Sequence, residues 1–442
     1  GEGAKVSHED WRWDVKCEEK IMDKQNDGLL ILQNGRILTM NDGPELKEAD
    51  LWLQDGTILG MVPWGSKIPE GAACRDISGC VVMPGLIDSH VHYDESYMGD
   101  FFLASGVTSV RNMQGFAGHA RWRDEILSGR RRGPYIYSSG PIADGEDETI
   151  PDNTNIIMRS KEDAEAIIRY TKEHGFLWLK TYPSVEPELY KYLLRRAVEE
   201  GLPPCGHMTK ILDYHSLIDA GYSCCEHTSS LPRDPEDIAY AAEHGMWFCP
   251  THVVCKTLPD YVWNGKQLTE VDHFEDLPEC IRTRWEEENE ITCENYRKLG
   301  VKPDFQTIID RGRTFLKYSD RVMAGTDCPY AGIVPGFALA DEIESLIDAY
   351  GMSRYEALRA ATSRPAEYIG IADQKGRVLP GMDSDLIVLK EDPLTVPYAV
   401  RSISLVLQGK NIWDARTLNE FLKKAGALKK EEIEFIPLKL EG

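Results

Sequence analysis

Two histidines one residue apart close the apolar run in VVMPGLIDSHVHYDES, residues 81–96, and His90 and His92 raise the question of a metal site. Neutral imidazole is a good ligand for zinc and similar divalent ions, but this pair supplies only half of a site. Other donors follow further on: Lys180 in WLKTYP, His207 in PCGHMTK, His227 in CCEHTSS and Asp327 in AGTDCP. Alone, each has a bland reading. A histidine at a strand end is usually a satisfied polar residue, a lysine after FLWL a snorkelling one, and GTD a turn or cap. What they share is position, because each sits at the end of a short apolar run.

The elements that must place them repeat along the chain. Compact apolar runs recur at VVMPGLIDSHVH, GVTSVRNM, GPYIYSSG, GFLWLKTYP, LPPCGHMT, YSCCEHTSS, MWFCPTHVV and RVMAGTDCP. Most intervals read as amphipathic helices that stop at Gly, SKEDAEAIIRYTKEHG and PELYKYLLRRAVEEG among them. Strands alternating with helices specify a parallel sheet, and eight such runs suggest a closed α/β fold, the (β/α)8 barrel. A doubly wound open sheet is the rival, but no glycine-rich phosphate loop follows the first strand. In a barrel the carboxyl ends of the strands form one rim. Residues i and i+2 on a strand share a face, so His90 with His92, and Lys180 with Tyr182, can point inward together. Four histidines, a lysine and an aspartate then converge on that rim.

The flanks differ. GLLILQNGRILTM, ADLWLQDGTILGMVP and CRDISGCVVMP read as hairpin strands with turns at Asn34-Gly35 and Asp55-Gly56, and GRVLPGMDSDLIVLKEDP and VRSISLVLQGKNIWD match them near the other end. The expected organisation is a helical extension over 1–28, a small discontinuous β-sandwich from 29–82 and 376–416, a barrel over 83–375 and a tail over 417–442. Over 442 residues, a net charge of −23 argues against nucleic acid or an anionic membrane surface as partner. No apolar run approaches a membrane span, and GEGAKVSHEDWRWDVKCEEK has no signal-peptide core. Eleven cysteines without a CxxC pair read as reduced, buried thiols, so a cytoplasmic protein is expected.

These motifs resemble the amidohydrolase superfamily of metal-dependent hydrolases from about residue 29 to 416. PGLIDSHVH is similar to its strand-one signature and AGYSCCEHTSS to its strand-six pattern. ATSRPAEYIGI with GRVLPGMDSDLIVL is similar to its return from barrel to sandwich. The order HxH, Lys, His, His, Asp resembles the two-metal subtype, and the sequence around Lys180 the imidazolonepropionase-like and dipeptidase branch. The resemblance implies that His90, His92 and Asp327 hold a more buried ion and His207 and His227 a more exposed one. The two divalent ions would be zinc, or else manganese or cobalt. An ammonium has no lone pair, so Lys180 would serve as a carbamate formed with carbon dioxide, bridging both ions; burial favours the neutral amine this needs.

The implied reaction is attack by a metal-bridging hydroxide on the C–N bond of a small amide: a dipeptide, N-acyl amino acid or cyclic amide. Asp327 would shuttle the proton to the leaving nitrogen, and Tyr182 would steady the oxyanion or else merely pack. Deaminases of the superfamily carry Glu three residues after the strand-five histidine. Lys210 stands there in this chain, which argues against deamination. A one-metal ring hydrolase, a lactone or ester hydrolase on the same core, and a non-catalytic scaffold are the alternatives. Specificity belongs to the loops. The loop GPIADGEDETIPDNTN is acidic, and the 66 residues from 255 to 320 are long for one connection, which suggests a lid or an oligomer contact. Candidate pocket residues are Arg111, His119, His252 and Tyr330, and a homo-oligomer is expected. His174, His215 and His244 fall in predicted helices and read as solvated. Asp88 reads as support for the neighbouring ligands.

Overall fold

The computed structural model describes residues 27–146, 154–209 and 212–440. All but the end of the expected N-terminal helical extension, much of the acidic loop after strand three, and Lys210 lie outside these residues.

The first flank supplies β1 (Leu29–Gln33), β2 (Arg36–Leu38), β3 (Leu46–Glu48), β4 (Asp50–Gln54), β5 (Thr57–Val62), β6 (Ala73–Asp76) and β7 (Val81–Pro84). The barrel follows with β8 (Leu86–Val91), β9 (Val107–Asn112) and β10 (Tyr135–Asp144), beside which a short β11 (Ile156–Ile157) lies. It continues with β12 (Trp178–Thr181), β13 (Pro204–Gly206), β14 (Cys224–Glu226) and β15 (Trp247–Cys249). The return adds β16 (Leu386–Leu389), β17 (Ile403–Gln408) and β18 (Asn411–Asp414).

Strands β8, β9, β10, β12, β13, β14 and β15 are hydrogen-bonded in parallel in that order. Residues 321–328 take the eighth place in extended chain. The Phe248 amide donates to the Arg321 carbonyl (3.0 Å) and the Met323 amide to the Phe248 carbonyl (2.9 Å) on one side. On the other, Ser89 donates to Ala324 (2.9 Å) and Asp327 to His90 (2.7 Å). The barrel closes through these bonds, as the alternating pattern predicts. Gly325 makes the closure possible, because a Cβ there would lie 2.6 Å from Cys249 Sγ and 2.8 Å from the His90 Cβ.

The flanking strands form two sheets, β5-β4-β1-β6 and β18-β17-β16-β7-β2-β3. The second is apolar on both faces. Val82, Leu386, Val388, Leu405 and Leu407 pack with Leu32, Leu51 and Leu53 of the first sheet. Their alternates Val81, Met83, Ile387, Leu389 and Val406 join the main core of the barrel. The two-residue period of a strand therefore builds two cores from one sheet. The Pro-Gly turn between β7 and β8 carries the chain from sandwich to barrel. Gly85 is needed there, since a Cβ would meet Thr108 Oγ1 at 2.2 Å.

Two helices bear on the site, His252–Thr257 (α1) after β15 and Glu279–Leu299 (α2) in the long connection, while Ala415–Gly426 (α3) packs on the barrel helix Met98–Ala104. No helix among the described residues is long and apolar enough to cross a membrane, and every described cysteine is a free thiol.

Candidate active site

His90 ends β8 with both ring nitrogens assigned by its surroundings. Its Nδ1 lies 2.9 Å from Glu226 Oε1, so it carries the proton, and Nε2 keeps its lone pair 3.2 Å from Asp327 Oδ1 without making a hydrogen bond. His92, two residues on, brings its Nε2 to 2.9 Å from the same oxygen. One donor atom from each of these three residues lies within 4.8 Å of the other two, a grouping that can hold a metal ion. Asp327 has φ +63°, a left-handed conformation costly for a non-glycine residue; so has His227, at +71°. Such geometry at two strand ends fits a site whose side chains are aimed by the closed barrel.

The remaining donors gather round His90. The rings of His90 and His227 are 4.9 Å apart, and those of His227 and His207 4.6 Å. His227 Nδ1 is anchored 2.5 Å from Thr251 Oγ1. Lys180 is fully buried, its Nζ has no hydrogen-bond partner among the described residues, and its ammonium form is disfavoured by burial despite the nearby Asp327 and Glu226. His207 Nε2 is likewise buried and without a partner among the described residues. Burial lowers His227 to about 3 and His207 well below its ordinary value, so both imidazoles are neutral with a lone pair to give. Burial would raise Asp327, but His90 and His92 hold it ionised. The neutral imidazoles of His207 and His227, a buried amine whose charged form is disfavoured and a carboxylate gather here as donors of the kind that can hold a divalent cation.

Beneath these donors lies a supporting layer. Glu226 also meets the Arg111 guanidinium, whose Nε donates to the Ser89 carbonyl at 2.7 Å and whose plane stacks near Trp178 and Tyr368. Asp88 accepts from Thr326 Oγ1 at 2.7 Å and from the amides of Thr326 and His90. It therefore fastens the end of β8 to the eighth strand.

A cleft of about 810 Å³ opens above these donors. His92, His207, His227, Asp327, Tyr182 and Tyr330 all face it. The other expected pocket residues lie elsewhere. Arg111 is fully buried among the barrel strands, against Glu226. His119 is buried behind the wall, where its Nδ1 accepts the Phe116 amide and its Nε2 holds Asp94 at 2.8 Å. It is Asp94 that reaches the cleft. His252 starts α1 with its ring against Tyr350 (3.2 Å), behind Val254 and Cys255, which do line the space. The long connection contributes a wall through Arg284, Glu288 and Tyr296 of α2. Arg284 is tied to Glu95 by two bonds, 2.8 and 2.9 Å.

Sequence reasoning missed Glu226, Asp94, Arg284 and the cleft residues Phe435, Ile436 and Leu438. Glu226 precedes the candidate donor His227 and Asp94 follows His92 by two, so both carried a local signal; the others carried none.

A barrel that gathers metal donors on its carboxyl rim under an open cleft is the frame of a metal-dependent hydrolase. Residues 81–414 match the model of the Amidohydrolase family, and the chain belongs to that family. It is thus a hydrolase of carbon–nitrogen bonds, in a family that generally uses divalent metals. It is similar to the ochratoxinase of Aspergillus niger, 22% identical over 81% of this chain and 80% of that protein. It is also similar to a dihydroorotase of Pelobacter propionicus, 27% identical over 48% of this chain, of which it spans about half (51%). Among solved structures, bottromycin amidohydrolase superposes with a TM-score of 0.71 at 21% identity, covering 93% of this chain and 94% of that one. A Xaa-Pro dipeptidase with bound methionine reaches 0.68 at 18% identity, covering 87% of this chain and 100% of its own. At these identities the structural likeness concerns the fold.

Proposed function

We propose that the chain is a two-metal amidohydrolase that cleaves the amide C–N bond of a small molecule: a dipeptide, an N-acyl amino acid or a cyclic amide. The observation that carries this reading is the buried Lys180 amine, with no hydrogen-bond partner among the described residues, gathered with four histidines and Asp327. A neutral amine attacks carbon dioxide, forming an N–C bond and releasing one proton, and the resulting carbamate is a two-oxygen anionic ligand. Divalent ions held by His90, His92, Asp327, His207, His227 and carbamylated Lys180, with zinc the natural choice for this donor set, would polarise the scissile carbonyl and make a bound water far more acidic.

The chain's own groups do the rest. Asp327, held between His90 and His92, would accept the proton of the attacking water and pass it to the leaving nitrogen. Tyr182, whose ring lies 4.3 Å from that of His207 on the cleft wall, would steady the charge that gathers on the carbonyl oxygen. Glu226 keeps His90 in the ligating tautomer.

The test is metal analysis after loading with zinc, together with a hydrolysis screen over dipeptides, N-acyl amino acids and cyclic amides. About two ions per chain are expected, and Lys180→Ala should lose bound metal together with turnover. A clear value of one ion, or full turnover by Lys180→Ala, overturns the two-metal account.

A further inference from the structure

Three aromatic side chains stand on the wall of the cleft with much of their surface open: Phe435 and Tyr330 are each 42% exposed and Tyr296 36%. One exposed aromatic is ordinary, but three lining a single cleft beside metal donors form an apolar patch that a ligand can cover. They come from three separate places: Tyr296 from α2, Tyr330 from just beyond the eighth barrel strand, and Phe435 from the chain past α3.

This last stretch is built onto the rim. The Ile436 amide donates to the Asp94 carbonyl (2.9 Å), the Ser96 amide to the Glu434 carbonyl (2.9 Å) and the Glu434 amide to Ser96 Oγ (2.9 Å). The Glu434 carboxylate accepts from Arg131 (2.8 Å), from Trp122 Nε1 (3.2 Å) and from Arg121. Ile436 is buried on bare Gly118, where a Cβ would come within 2.8 Å of it. Anchored on both sides of Phe435, the stretch has a fixed address two residues beyond His92 along the β8 loop. It also lies outside residues 81–414, the part of the chain that matches the family.

We propose that residues 433–438 are a specificity element: the wall against which an aromatic or bulky apolar side group of the amide substrate packs, with Phe435 as its principal contact. The inference rests on the amidohydrolase reading for its substrate class, while its geometry stands apart from turnover.

The test uses binding. Acetohydroxamate and 3-phenylpropionohydroxamate share a metal-binding head and differ by a phenyl-bearing arm, and their dissociation constants on the zinc-loaded protein can be measured by calorimetry. The phenyl compound should bind at least about tenfold more tightly. Phe435→Ala should reduce that ratio to about threefold or less while leaving acetohydroxamate within about twofold. Leu438→Ser, further along the same wall, should reduce it in the same direction, and circular dichroism verifies the fold of both variants. No preference in the unaltered protein, or an unchanged ratio in both variants, overturns the inference. A protein that shows the ratio but hydrolyses no amide in the screen overturns the amidohydrolase substrate class and keeps the wall. One that hydrolyses amides with an unchanged ratio does the reverse.

Discussion

Glu226 answers to two neighbours at once. Burial alone would raise its pKa, but the Arg111 guanidinium and the bond from His90 outweigh that and hold the carboxyl at about 2. The carboxylate therefore neutralises Arg111 and fixes the His90 tautomer together. Glu226→Gln keeps the shape and removes the charge, which strands a guanidinium inside the barrel. We expect a loss of about 3–5 kcal/mol in urea unfolding and of about 10–100-fold in zinc affinity. Adding Arg111→Met should restore most of the stability and little of the affinity. Undiminished zinc binding by Glu226→Gln would remove Glu226 from the support of the site. At this scale the gathering of the six candidate donors was legible, because each stands at the end of an apolar run and ligand chemistry restricts residue type. Arg111 also ends a strand, and only the packing shows that it faces Glu226 instead of the cleft.

The start of α1 has a device of its own. Glu342 is fully buried and accepts the amides of His252 (2.9 Å) and Val253 (3.0 Å), so it caps the helix that carries Val254 and Cys255 into the cleft. Burial pushes its carboxyl up to about 8, although the two amides pull the other way. The folded protein thus holds this proton over a range in which the unfolded chain, with a glutamate near its ordinary value, has released it. Between about pH 4.5 and 8, stability from this group falls as pH rises, and above about 8 the full cost of burying the charge is present. Glu342→Gln removes the titration. Urea unfolding at pH 5, 6.5 and 8 should show the Gln variant gaining on the parent as pH increases, and a constant difference would contradict the assignment. The helix periods of 161–173, 187–199 and 279–299 were readable in sequence. That the last of these walls the cleft was not, because an amphipathic helix advertises an apolar face and says nothing of what its polar residues will meet.

Across the whole molecule, sandwich and barrel are joined by more than the Pro-Gly turn. Lys375 is buried between Asp383 (2.8 Å) and Asp385, with its Nζ 4.2 Å from the Tyr135 ring at the start of β10. Burial would lower this lysine, and the two carboxylates keep it charged. Asp385 in turn accepts the Gly409 amide, and its carbonyl receives Gly85 of the β7–β8 turn. Lys375→Met strands Asp385 and should cost about 3–5 kcal/mol, with sandwich and barrel melting together in one calorimetric transition. Lys375→Met with Asp385→Asn should recover part of that. A second, earlier transition confined to the sandwich would show that the link does not couple the two units.

The sequence by itself determined the parallel barrel, the strand-rich flanks and the six residues gathered at one rim. Each rests on a period or spacing within a few residues, and a strand end in a barrel has only one rim to occupy. Tertiary structure alone decided which rim residues see the cleft, that Asp94 and not His119 reaches it, and that Phe435 stands over it. Ser96 and Glu434 are 338 residues apart in sequence. A contact across such a distance depends on how the whole chain closes, and it leaves no periodic trace in either segment.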